Sequence, residues 1–170
     1  MPATGKNAAS TKPDSQTFEL TITRTFNAPR ALVWRLFTEP EHLMNWMGPR
    51  GFTPMNFTQD ARVGGTWRGM LRPDKNNPHT QEDLWQGGVF KEITPPERVS
   101  YTFAWEPDDS GKPGDETLVT LAFADLGDKT TLVFTQSGLT SEAKRDGHDG
   151  GWNSAFDKLD DYLATLDEAE

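Results

Sequence analysis

The chemistry open to this chain is bounded first by what it lacks. It has no cysteine, which removes thiolate nucleophiles, disulfides and thiolate metal sites together and suits a reducing compartment. No G-x-S-x-G elbow is present, and the serines stand in turns or strands without a marked base. "RVGGTW" is too short for a phosphate loop and opens a strand, where phosphate binding needs a helix N-terminus. In "HTQED", His79, Glu82 and Asp83 could meet at one ion, but loop residues of this kind are ordinarily solvated. No metal, cofactor or catalytic residue is expected. Two polar residues still call for an account. Arg24 alternates in phase with Phe18, Leu20, Ile22 and Phe26, so its guanidinium needs an acidic partner or a wet cavity. A helix carboxylate such as Asp157, Asp160 or Asp161 would satisfy it structurally; a ligand's carboxylate or phenolate would do so functionally. His148 stands in "GHDGGW", beside Gly147, Gly150 and Gly151, and either faces a cavity as acid or base or turns to a cap or to solvent.

The apolar candidates are more numerous. Trp46, Met47, Met55, Phe57, Trp67, Met70, Trp85, Phe103, Trp105, Trp152 and Phe156 are each core residues in the plain reading, while a subset could line a ligand pocket. Thioethers adapt to varied apolar shapes, and Trp46 with Met47, on a loop, suit a pocket mouth.

The elements that must position these residues follow from periodicity. "TFELTITRTF" alternates as a half-buried strand. "NAPRALVWRLF" and "TEPEHLMNW" predict two short helices introduced by Pro29 and Pro40, and a Gly/Pro loop spans residues 47–51. Strands are then expected over 52–60, 66–72, 84–93, 99–105, 117–123 and 130–136, with Gly87 and Gly88 hinting at a bulge or a sharp bend. Trp152, Ala155, Phe156, Leu159, Leu163 and Leu166 recur at helical spacing, which predicts a C-terminal helix. Its start stays open. Either Thr140 or Ser141 caps a helix that meets the glycines at a kink or break, or the glycines end a loop before residue 152.

The whole composition fits one α+β domain over residues 17–170, with a flexible polar tail over 1–16. Seventeen basic against 26 acidic residues give a net charge of −9, with no Lys/Arg cluster, which argues against nucleic acid and anionic membranes. Neither a signal-peptide core nor a membrane-spanning apolar run is seen, so a cytoplasmic location is expected.

The segments "TRTFNAPRALVWRLFTEPEHLMNWMGP", "DARVGGTWR", "GGVFKEITPPERVSYTFAW" and "GHDGGWNSAFDKLDDYL", in this order and spacing, resemble the START-like (SRPBCC), helix-grip superfamily. Within it they are most similar to the family named after the C-terminal domain of the activator of Hsp90 ATPase. The likeness covers roughly residues 18–166 and implies a curved antiparallel sheet gripping a long C-terminal helix over a hydrophobic cavity. Two departures matter. Only a short polar tail stands where the two-domain co-chaperone carries a separate domain that makes much of the Hsp90 contact, and Glu39 replaces a common capping aspartate. The leading expectation is therefore a binder of a small hydrophobic molecule, lipid-like or aromatic, rather than an enzyme. A cyclase or hydrolase using Arg24 and His148 in the same cavity is the second reading, and a chaperone-associated interaction module the third. An Hsp90-type partner ranks below the small molecule, and a homodimer is compatible with the sequence.

Overall fold

The computed structural model describes residues 16–107 and 114–169. All of the expected tail except Gln16 lies outside the described residues, as does most of the polar turn expected over 106–115. The chain runs β1 (Phe18–Phe26), α1 (Arg30–Thr38), α2 (Pro40–Leu43), β2 (Phe52–Gln59), β3 (Thr66–Pro73), β4 (Leu84–Thr94), β5 (Arg98–Trp105), β6 (Thr117–Asp125), β7 (Thr130–Leu139) and α3 (Glu142–Ala169). The strands form one seven-stranded antiparallel sheet in the order β1-β7-β6-β5-β4-β3-β2. β2 to β7 follow as a simple meander, and α1 and α2 carry the chain from β1 at one edge to β2 at the other. The sheet's apolar face packs on α3, where Trp152, Ala155, Phe156, Leu159 and Leu163 are buried at intervals of three and four. This is the helix-grip fold.

Local chemistry explains where the elements bend and end. Alternation in β1 buries Leu20, Ile22 and Phe26 and sends Arg24 to the flank of α3. There its guanidinium lies 2.8 Å from Asp157 and 3.0 Å from Asp160. α1 buries Val33, Leu36 and Phe37. Glu39 precedes α2 without a side-chain capping bond; its carboxylate faces Arg35 and His42 instead. The glycines of β4 correct the expected bulge. The register slips between Phe90 and Glu92, not at Gly87 and Gly88. At Gly88 a side chain would collide with the Thr102 carbonyl of β5, so close backbone approach is what requires glycine there.

α3 resolves the question left by "GHDGGW". It is one helix of 28 residues that starts before the glycines, and Gly147, Gly150 and Gly151 stand inside it. Ser141 Oγ accepts the Lys144 amide at 3.1 Å, a capping bond at its start. Among the described residues no helix is long and apolar enough to cross a membrane.

Candidate functional site

A cavity of about 290 Å³ opens between the first half of α3, the loop after α2, and the strands β3 to β5. The loop supplies Met47, Gly48 and Pro49, and the sheet supplies Phe52 at the start of β2 with Leu71, Leu84, Gln86, Phe103 and Trp105. The helix contributes Gly147, His148, Gly151, Trp152 and Ala155. No arginine, lysine, aspartate or glutamate is in the lining.

Each wall is held by identifiable bonds. Gly48 has φ +87°, and a Cβ there would lie 2.7 Å from a Leu71 methyl carbon, so glycine lets the loop settle on the sheet. Lys158 reaches out from α3 and donates to the carbonyls of Gly48 at 3.1 Å and Phe52 at 3.2 Å. The Arg50 amide donates to Ser154 Oγ at 2.9 Å, and its guanidinium pairs with Asp161 at 2.8 Å. Burial pulls the Lys158 ammonium below its ordinary pKa; Asp74 opposes that shift and Arg50 adds to it.

Trp152 is fixed by a buried relay. Its indole Nε1 donates to Gln136 Oε1 at 2.9 Å, Gln136 Nε2 donates to Thr117 Oγ1 at 2.9 Å, and that hydroxyl donates to the Phe103 carbonyl at 2.9 Å. One chain of hydrogen bonds thus sets a lining ring on the helix against a lining strand. His148 packs edge-on to Phe103, with ring centroids 5.8 Å apart, and lies 6.3 Å from Trp105. Burial lowers its pKa from 6.5; Asp115 works against that and Lys144 with it. At neutral pH the imidazole is uncharged and belongs to the aromatic wall. Asp115 itself accepts bonds from Thr140 and Lys144, which hold its carboxyl below the usual range.

Gly147 and Gly151 lie four residues apart on one helix face. A Cβ added at either meets nothing within 4 Å. Their missing side chains leave room that belongs to the cavity. A neighbouring hollow of about 30 Å³ shares Met47 and Trp152 with the cavity and adds Phe57, Trp67, Phe90 and Tyr101.

The residues singled out in the sequence divide among four places. Met47, Phe103, Trp105 and Trp152 line the cavity, and Phe57 and Trp67 line the neighbouring hollow. Trp46 and Phe156 are wholly buried in the core, with the Trp46 indole donating to the Leu36 carbonyl, so Trp46 is not a mouth residue. Met55 faces Met70, and Met70 faces Trp85, in one cross-strand row. Leu71 and Leu84, the next residues along, line the cavity, so by alternation that row lies on the opposite face, where Arg68 stacks 3.8 Å over Trp85. Arg24 is outside the lining and is bonded to Asp157, Asp160 and Asn153. Among the described residues, no group of three or more histidines and carboxylates is placed to hold a metal. Sequence reasoning missed Leu71, Leu84 and Gln86. Their signal was parity: Trp67 and Met70 are an odd number of residues apart and cannot both face inward along an unbroken strand.

Comparison with known proteins agrees with this architecture. A protein from Chromobacterium violaceum superposes with a TM-score of 0.73 at 27% identity, covering 85% of this chain and 95% of its own. The AHSA1 protein from Silicibacter pomeroyi gives a TM-score of 0.76 at 22% identity, covering 88% of this chain and 99% of its own. A Rhizobium leguminosarum protein gives 0.72 at 24% identity, over 88% of this chain and 96% of its own. No curated protein matches the sequence. The profile of the activator of Hsp90 ATPase homolog 1-like proteins, however, matches residues 27–164, and the chain belongs to that family.

Proposed function

We propose that the protein binds a small hydrophobic molecule in the cavity between α3 and strands β3 to β5. The observation that carries this reading is an open, uncharged space of about 290 Å³ whose helical wall contains Gly147 and Gly151. Interior glycines each cost a helix about 1 kcal/mol relative to alanine. Here that cost coincides with space at a ligand-sized site. An apolar cavity of about 150 Å³ accepts benzene, so roughly twice that space suits about a dozen non-hydrogen atoms.

An enzyme in the same place has fewer means. His148 and Gln86 are the polar side chains of the lining, and no carboxylate or nucleophile stands beside them there. Asp115, the acid that acts on His148, is engaged with Thr140 and Lys144.

Titration with naphthalene, followed through the indole N–H signals of the tryptophans, tests the proposal. Saturable movement of the Trp152 and Trp105 signals is expected in the wild type, and its loss in Gly151→Leu. No saturable movement in the wild type contradicts the reading.

A further inference from the structure

Resting on that reading, we propose that the natural ligand is a neutral molecule with one hydrogen-bonding group, such as an alcohol, phenol, ketone or amide, received by the side chain of Gln86. Gln86 is only 2% exposed, yet it lines the cavity, and its amide bonds to no other described residue. A primary amide both donates and accepts, and no enclosed side-chain nitrogen or oxygen among the described residues lacks a partner, so the unbonded amide atoms of Gln86 open onto the cavity, where a ligand that displaces solvent must supply their bonds. Gln136, which is wholly enclosed, is by contrast used at both ends, by Trp152 and by Thr117. What Gln86 lacks among the described residues, a ligand hydroxyl, carbonyl or amide can supply.

The charges around the cavity narrow the class further. A carboxylate brought into this space would meet no cation in the lining. The nearby basic groups are committed elsewhere. Lys158 donates to the Gly48 and Phe52 carbonyls, Arg50 pairs with Asp161, and Arg24 pairs with Asp157 and Asp160. Free fatty acids and aromatic acids are therefore poor ligands, and their neutral alcohols or amides good ones.

Three probes of one ring system separate these outcomes: naphthalene, 2-naphthol and 2-naphthoate, titrated at neutral pH into the wild type, Gln86→Leu and Gln86→Met. A dry apolar cavity with no partner would favour naphthalene, because the hydroxyl loses its water. With Gln86 as partner, 2-naphthol is expected to bind about five- to tenfold more tightly than naphthalene, the worth of one net hydrogen bond. In both variants that preference should vanish while naphthalene still binds. 2-Naphthoate should bind at least about tenfold more weakly than 2-naphthol. Equal binding of naphthalene and 2-naphthol by the wild type overturns the inference, as does tight naphthoate binding or a naphthol preference that survives in a folded variant. In those cases saturable naphthalene binding leaves the cavity reading standing. Failure of all three probes overturns both. The wild-type comparison is decisive even if neither variant folds.

Discussion

Gly151 faces open space in the middle of a helix, where alanine would fold better. Gly151→Ala is therefore expected to stabilise the protein by about 0.5–1 kcal/mol, a rise of roughly 1–4 °C in Tm, while weakening naphthalene binding. Gly150→Ala, outside the lining, should give the same rise with binding unchanged. Thermal melts and titrations of the two variants check this. If both bind like the wild type, room for ligand is not why Gly151 is there. His148 gives a pH signature. Its native pKa lies below 6.5 because burial disfavours the cation, whereas in the unfolded chain it protonates freely. Stability is thus unaffected by this group above about pH 6.5 and falls as pH drops from there through the lowered native pKa. Urea unfolding at about pH 7.5 and pH 5.5 should show a smaller loss in His148→Asn than in the wild type. Some of this scale could be read beforehand. The period of two in β1 put Arg24 beside the helix, and the Asp157 and Asp160 pairing was one of its expected solutions. Gln86 could not be read, because an amide next to "GG" carries no pattern that separates a pocket residue from a solvated one.

The elements are held by a few bonds whose removal has local consequences. Lys158 ties the loop at Gly48 and Phe52 to α3 while Ser154 holds the Arg50 amide. Lys158→Met keeps the stem and removes the donors; it should cost about 1 kcal/mol, since the site is half-buried, and speed hydrogen exchange of the Arg50 amide. Unchanged exchange would mean the loop is held by packing alone. Gly88→Ala would force β4 and β5 apart at Thr102 and should cost about 3 kcal/mol by urea unfolding. Strand periods and the two short helices were legible because their patterns are regular. The start of α3 was not. Three glycines weigh against helix locally, and what overrides them is burial of Trp152, Phe156 and Leu159 along the same rod, together with the Ser141 cap. Which face of β2 to β4 looks inward was also hidden, because β2 is irregular between Met55 and Thr58, with Asn56 at φ 58°. That irregularity lets Met55 and Phe57 face opposite ways although they are two residues apart.

At the scale of the whole molecule, the sheet and α3 meet differently along their length. Toward the far end, Phe26, Phe37, Trp46 and Phe156 fill the grip in edge-to-face and tilted pairs, with centroids 4.9 to 6.2 Å apart. Near the start of α3 the opposing residues are glycines and the space stays open. The fold family could be recognised from the order of its segments, but the division between a filled end and an open end depends on side chains meeting across the grip, which no single segment encodes. A crystal structure under xenon pressure probes that division without presupposing a ligand, since xenon settles in dry apolar cavities. We predict xenon between Leu71, Trp105 and Trp152, in the space beside Gly147 and Gly151. A structure in which Phe52, Phe103, Trp105 and Trp152 have closed onto the helix, leaving no xenon and no space, would contradict the account.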